Sequence, residues 1–501
     1  MRPRHTCIGV LLAGLVLAGC NLAPVYTQPR FVLPDSYHGS GLFEVARPGR
    51  VLSARGDWWT MFDDAALNLL EQELETDNPS LQAALERYTQ ARDLAAEAES
   101  QLYPQAGFEG TLSYNKQSIE RLFRGNPATP NIEASNVLLP SASWEPDFWG
   151  ELRNRAHQQK RLAQASAADL VSARLSLQAE LAADYFAIRG FDQEIDVLRH
   201  AISVYQEAVE ATRLRYRGGV GSGLDLARAS SQLGSAQAQL SETYLQRELM
   251  VHAVAVLVGA MPSGFSMPPA SVRLPMAPEV PVGLPSELLE RRPDIASAER
   301  QMAAANAAIG VSRAAFYPNV TVFGNAGFQT RAWNLLSLPN SLWSIGSDVT
   351  LPIFEGGLRR AELQRAWSSY AQTRDNYRAT VLAAFQEVED GLSLTQRLKS
   401  EVAERHQASE QAAEALSLST KLYSDGLDNY LSVSVAQVAA LAARTSEVDV
   451  QVRQMQAAVS LIRALGGGWT VHALPNEKQT LPLGPLEYGA ARDAEPRSSP
   501  P

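Results

Sequence analysis

The chain has only two cysteines, Cys7 and Cys20, in 501 residues. Cys7 falls in an N-terminal targeting segment, so the processed chain keeps one thiol and an internal disulfide is excluded. Long apolar runs are also missing. Beyond the first twenty residues nothing approaches the roughly 18 continuous apolar residues of a membrane helix. A processed chain that crosses a membrane must therefore do so as strands of a closed barrel, where every backbone group finds a partner. Positive charge is not in excess: the formal net charge is -10, and about -12 once Arg2 and Arg4 are removed. That balance argues against nucleic acid as a partner. The later histidines (His38, His157, His200, His252, His406, His472) form no metal-ligand cluster, and neither HExxH nor a GxSxG elbow occurs. Neither catalysis nor a resident metal or cofactor is expected.

Residues 1–19 read as a signal peptide. Arg2 and Arg4 supply the basic start, and Ile8 to Val16 form a short apolar stretch. Leu17-Ala18-Gly19-Cys20 resembles a bacterial lipobox, which implies cleavage before Cys20 and a covalent lipid on its thiol. The lone cysteine, without a structural partner, fits that reading. In the lipoprotein resemblance an Asp after the cysteine would favour the inner membrane, so Asn21 points to the outer membrane. One acyl anchor holds weakly, so further membrane contacts are expected.

The rest of the chain is written twice. Gln101-Leu102-Tyr103-Pro104 is matched by Ala315-Phe316-Tyr317-Pro318, and Glu145-Pro146-Asp147-Phe148-Trp149-Gly150 by Leu351-Pro352-Ile353-Phe354-Glu355-Gly356-Gly357. Arg215-Tyr216-Arg217-Gly218-Gly219 is matched by Lys421-Leu422-Tyr423-Ser424-Asp425-Gly426, the offsets being about 214, 206 and 207 residues. The boundaries read as an arm over 20–63, a first repeat over 64–260, a Pro-rich linker over 261–285 and a second repeat over 286–468. A C-terminal tail over 469–501 has a composition that predicts disorder near its end.

Within each repeat the period changes. Ala106, Phe108, Gly110, Leu112 and Tyr114 alternate with polar neighbours, predicting strands at about 105–118 and 136–146. Val320, Val322, Ala326 and Phe328, then Trp343, Ile345, Val349 and Leu351, predict strands at about 318–330 and 342–352. Apolar-out, polar-in alternation suits a membrane barrel, although a half-buried soluble sheet uses the same pattern. Each hairpin is followed by a proline-free helical run, Glu151–Tyr216 and Leu358–Tyr423, about 100 Å long if continuous. Ile188, Ile195, Ile202, Val209 and Tyr216 recur every seven, with Phe191, Leu198, Tyr205 and Thr212 three residues on, a seam that needs a neighbour. Shorter helices return over about Asp225–Val258 and Tyr430–Leu465. The fold class is thus mainly α with a small β part.

Four strands cannot close a membrane barrel, whereas three chains would supply twelve. Tyr-Pro before each hairpin, Glu290-Arg291-Arg292-Pro293-Asp294-Ile295 in the middle and the Gly-rich helical turns together resemble the TolC-like outer-membrane factor family of efflux channels. Within it the chain is similar to the lipoprotein, OprM/NodT-like branch, distant from TolC. The resemblance covers nearly all of residues 20–470. It implies a homotrimer with a twelve-stranded outer-membrane barrel above a long periplasmic helical barrel. A periplasmic adaptor and an inner-membrane transporter of the resistance–nodulation–division type would dock below.

The helical turns are the functional candidates. Gly218, Gly219, Gly221, Gly223 and Asp225 in the first repeat, and Gly426 in the second, are implied by the resemblance to be adaptor-contacting tips. Glycine also ends helices for purely local reasons. No Lys-Ser/Thr follows the first turn and no strand precedes it, so it is not a phosphate loop. Leu431 matches an apolar aperture position of the family. The next ring positions, commonly Asp and then Arg, fall on Val435 and Val438, which departs from a salt-bridge latch and suggests a more hydrophobic closure. Ordinary seam packing would also explain both valines. Asp425 and Asp428 could form an acidic ring, or be plain turn aspartates. Arg292, Pro293 and Asp294 suit a helix start and read as structural. A reading of another class remains beside the export duct: a lipid-anchored periplasmic coiled-coil scaffold or adaptor without a pore. The two differ in whether lipid-facing strands are needed.

Overall fold

The computed structural model describes residues 21–31, 37, 57–116, 118, 120, 132–269, 274–281, 285–332 and 334–481. The signal segment, Cys20, most of the arm and the tail beyond 481 lie outside the described residues. A 3-10 turn at Trp58–Phe62 leads into α1 (Ala65–Asp77) and α2 (Pro79–Ser100). Then come β1 (Gln105–Lys116), β2 (Ile132–Trp144), α3 (Glu151–Arg217) and α4 (Gly223–Leu257). A single turn at Leu288–Arg291 precedes α5 (Pro293–Ala314), β3 (Asn319–Thr330), β4 (Ser341–Thr350), α6 (Leu358–Ser424) and α7 (Tyr430–Ala464).

The duplication is in register almost to the residue. α3 and α6 have 67 residues each and α4 and α7 have 35, all at an offset of 207 (151 to 358, 223 to 430). α2 and α5 have 22 residues each and β1 and β3 have 12, at an offset of 214 (79 to 293, 105 to 319). The repeats therefore differ in length within their hairpins: the connection 117–131 is longer than 331–340, and β2 has 13 residues against 10 in β4. Local chemistry explains the starts. Asn78 caps α2, accepting from Leu81 N at 2.8 Å, with Pro79 as the first helical residue. The return strand reaches α3 and α6 through Gly150 and Gly357, whose φ values of 76° and 93° suit a residue without Cβ.

The four strands form one antiparallel sheet in the order β1-β2-β3-β4. Its register decides between the two meanings of the alternation. Phe108 faces Pro140, Leu138 faces Phe328, Trp144 faces Val322 and Ala326 faces Trp343. Those residues, with Leu112, Tyr114, Val320, Ile345 and Val349, thus share one side of the sheet. Among the described residues no helix covers that side: Tyr114, Trp343 and Ile345 are 79%, 76% and 74% exposed. A soluble sheet would bury such a face; a lipid-facing one would not. Phe323 breaks the alternation. It stands on the polar side, with its ring against Gly346, where an added Cβ would sit 3.0 Å from a ring carbon.

Near the sheet the helices lie side by side in the order α2-α3-α5-α6; away from it the order is α4-α3-α7-α6. α3 and α6 run through both levels. The α3 seam is buried as its heptads predict, at Ile188, Ile195, Leu198, Tyr205 and Val209. Between the levels sits the main core. The described end of the 20–63 arm joins this core. Trp58, Trp59 and Phe62 are buried, Phe62 lies 4.9 Å from Phe186, and Tyr185 donates to Asp64 at 2.6 Å. Aromatic burial overrides the Pro/Gly-rich composition at this end. The start of the arm is extended along α5: Asn306 donates to Pro24 O at 2.8 Å, Arg313 to Leu22 O at 3.1 Å, and Tyr26 to Glu299.

Residues 469–481 of the tail pack along the helices. Glu477 pairs with Arg161 at 2.8 Å and His157 at 3.2 Å, and Gln164 donates to Pro475 O at 2.9 Å, so this stretch climbs α3 toward the sheet. Arg292 is structural. It pairs with Asp294 at 2.6 Å and Glu387 at 2.7 Å and donates to Ala464 O at 3.2 Å, tying the start of α5 to α6 and to the end of α7.

Candidate aperture and helical tips

The end of the molecule far from the sheet carries two helical tips built to one plan. At the first, Gly219 (φ 75°) follows α3, Val220 N donates to Arg215 O at 3.0 Å, and Ser222 caps α4. At the second, Gly426 (φ 75°) follows α6, Leu427 N donates to Leu422 O at 2.9 Å, and Asn429 caps α7. Both are Schellman turns, in which a left-handed glycine lets the next amide reach back to the helix. Gly221 has a second constraint: an added Cβ would lie 2.9 Å from Tyr216 N. Gly218, Gly219 and Gly223 are exposed, and Asp225 is half-buried in the first turn of α4. At the other tip Asp425 and Gly426 are exposed, while Asp428 is half-buried and accepts from Asn429 N at 2.7 Å.

The structure brings Leu431, Val435 and Val438 together on one exposed stripe of α7, 46%, 60% and 57% exposed, which Ala442 extends. The intervening Val433 and Gln437 are buried. The three candidates are therefore outside the protomer's own seam. At the 207-residue offset the stripe of α4 reads Leu224, Arg228, Ser231 and Ser235. The two tips share their turns and differ in this stripe: one is apolar, the other polar and basic.

The tips are also tied together by residues that the sequence did not single out for this. Tyr205 of α3 donates to Gln437 O of α7 at 3.1 Å. Arg215 reaches Tyr423 O at 3.4 Å and lies 4.6 Å over its ring, and Tyr423 in turn packs edge-on against Tyr430 at 5.5 Å. Ser434 donates to Gln232 of α4 at 2.9 Å. Burial, then the nearby Tyr423, Tyr205 and Asp225, push the Tyr430 hydroxyl up to about 12, so it stays neutral. Tyr205 was legible as a seam position. The Arg215–Tyr423 contact is not, because it joins residues 208 apart across two turns. No group of His, Cys, Asp or Glu among the described residues is arranged to hold a metal.

An uncovered apolar sheet standing on duplicated helical hairpins defines an outer-membrane channel protein with a large helical part outside the bilayer. The model of the outer membrane efflux protein family matches residues 70–260 and 284–467. The chain belongs to that family. It is 29% identical to the outer membrane protein OprJ of Pseudomonas aeruginosa, over 94% of this chain and 97% of that protein. It is 31% identical to the pyoverdine export outer membrane protein OpmQ of Pseudomonas putida, over 93% and 98%. The solved outer-membrane channel OprN superposes with a TM-score of 0.82 at 26% identity, covering 90% of this chain and all of that one. This protein is an outer-membrane efflux channel, with its helices on the periplasmic side.

Proposed function

We propose that three copies of the chain close a twelve-stranded barrel in the outer membrane and a helical duct beneath it. Drugs or other small molecules would pass along this duct passively to the exterior. They would be delivered by an inner-membrane pump of the resistance–nodulation–division type through a periplasmic adaptor. The observation that carries this reading is the sheet with two open edges: among the described residues β1 and β4 each lack one neighbour, and the apolar side spans all four strands. In lipid such edges must be paired. The outer helices are unpartnered in the same way, with Leu245 and Leu249 exposed on α4 and Leu382 and Leu394 on α6. These suit contacts with neighbouring copies.

In this reading the α7 stripes of three copies converge on the axis. Leu431, Val435 and Val438 then close the duct by apolar contact and dewetting, with Asp425 and Asp428 at the mouth. The glycine tips at Gly218, Gly219, Gly221, Gly223, Asp225 and Gly426 meet the adaptor. Lipidation of Cys20 fits the path of the arm. Asn21 accepts from Asn154 at 3.0 Å, and Asn154 is the fourth residue of α3, so the cysteine would lie where the helices meet the barrel. The test is a heat-modifiable trimer in outer-membrane fractions that conducts in planar bilayers. A soluble, non-conducting processed protein would support the poreless scaffold instead.

A further inference from the structure

Each long hairpin is bolted by one buried carboxylate, and the two bolts are made differently. In the first repeat the acid is Asp192 on α3, with a 1% exposed side chain. It pairs with Arg247 of α4 at 2.6 Å and with Arg189 of its own helix at 3.3 Å. Guanidinium groups keep their charge at any physiological pH. Arg247 and Arg189 also donate to Met267 O and Pro268 O at 2.8 and 3.3 Å, which fastens this hairpin to the linker.

In the second repeat the acid is Glu447 on α7, again with a 1% exposed side chain. Arg444 of its own helix binds Oε2 at 2.6 Å. Across the helix pair, its partner is His406 of α6, whose Nδ1 lies 2.8 Å from Oε1, with Ser409 as a further donor. Nε2 of the same ring is 3.4 Å from Glu410. The 207-residue offset places Leu240 where Glu447 stands, Ile202 at Ser409 and Arg199 at His406. The buried acid and its imidazole therefore belong to the second repeat, the one that carries the apolar stripe.

We propose that His406 is a pH-responsive clasp that fastens α6 to α7. Glu447 accepts hydrogen bonds only, so Nδ1 carries the proton of the neutral ring. On acidification a proton from solvent adds at Nε2, facing Glu410, and the ring becomes a cation between two carboxylates. The hydrogen bond to the ionised Glu447, already charge-assisted, then joins two opposite charges and gains their Coulomb attraction. Burial pushes the Glu447 carboxyl up, but hydrogen bonds from His406, Ser409 and Arg444 outweigh it and hold the group below the ordinary carboxylate range. Glu447 is therefore ionised, ready to face a charged ring. Histidine is the side chain whose charge changes near physiological pH, so the tie is stronger in acid and weaker, a hydrogen bond without the ion pair, in base.

The surrounding charges have other partners. On α6 and α7, Glu401 pairs with Arg405 and Arg453, and Asp449 with Arg453, while Glu404 is exposed. The Tyr205–Gln437 and Gly190–Val452 contacts set the level of α3 facing Glu447. There Arg199 pairs with Asp196 and Tyr244, Glu194 accepts from Gln239, and His200 is exposed.

The significance of the clasp for gating rests on the channel reading, but its test does not. Amide hydrogen exchange of the purified full-length protein, corrected for intrinsic rates, is compared at pH 5.5 and pH 8 for peptides spanning 402–412 and 441–450. The expected result is about five-fold more protection in acid for the wild type, from the strengthened bond. His406→Asn should abolish the difference, and His406→Arg should give the protected state at both pH values. The segment around Asp192 should not change. Equal wild-type protection at the two pH values, a difference that survives in His406→Asn, or a matching change around Asp192 would overturn the clasp. Bilayer conductance of the same preparation reports separately on the channel.

Discussion

Glu71 gives the sharpest energetic prediction. It lies wholly buried on α1, and neither carboxylate oxygen has a hydrogen-bond partner among the described residues. Burial, and secondarily the charge of Glu75, pushes its pKa from 4.5 up to about 9. The folded chain therefore keeps a proton at neutral pH that the unfolded chain has released. With more protons bound in the folded state, stability must fall as pH rises between those two values. At 1.36 kcal/mol per pH unit the loss is about 3 kcal/mol per chain by pH 7 and about 6 kcal/mol by pH 9. Glu71→Gln keeps the shape of the protonated acid and removes the titration. In urea unfolding followed by helical circular dichroism, the variant should match the wild type near pH 4.5. It should be about 3 kcal/mol more stable at pH 7, with the gap widening toward pH 9. Parallel pH profiles for the two proteins, or a variant that is less stable at pH 8, would refute the reasoning.

Three further outcomes are expected. Leu431→Ser should raise conductance or leak in bilayers more than Leu224→Ser does, because the apolar stripe exists on α7 and not on α4; equal effects would contradict the asymmetry of the tips. Arg292→Ala should cost about 1–3 kcal/mol, because the part-exposed Asp294 and Glu387 and the Ala464 carbonyl lose their charged donor, seen as a lost folded yield or a lower Tm; a change within about 0.5 kcal/mol, the range of ordinary surface substitutions, would show the pairs to be solvent-screened. Cys20→Ser should abolish the acyl mass on the N-terminal peptide while leaving the sheet intact; wild-type and variant peptides that differ only by the sulfur-for-oxygen exchange would remove the lipid from the account.

Much of the architecture was legible because the period of the apolar residues changes with the element. The alternation from Ala106 to Tyr114 and the sevens from Ile188 each name a geometry; the observed sheet face contains the first set, and the α3 seam follows the sevens to Val209, while Tyr216 at the tip is exposed. The long-helix boundaries moved by one residue at the tips, where Gly219 and Gly426 mark the stop. What stayed hidden depends on contacts between distant segments. Trp58, Trp59 and Phe62 sit in a Pro/Gly-rich region yet form the core against Phe186. Phe323 is explained only by the space above Gly346 on the paired strand. Glu71 reads as one more surface acid of an amphipathic helix until α1 is packed. The candidate aperture was legible as residues and the tips as two kinds; the polar stripe that answers it on α4 was not. Val435 and Val438 acquire meaning from Arg228 and Ser231, which occupy their places once the offset of 207 is known.

The central claim is that three chains close one barrel through β1 and β4. The repeat supplies the expected register. Ser141 of β2 lies opposite Asn325 of β3, and the offsets of 207 and 214 carry that pair to Asp348 of β4 and Thr111 of β1 in the next copy. A chain bearing both Asp348→Cys and Thr111→Cys, oxidised in outer membranes, should form a disulfide ladder that ends at three chains, with neither single variant forming it. A ladder that continues beyond three, or no cross-link in a properly inserted protein, would contradict the account.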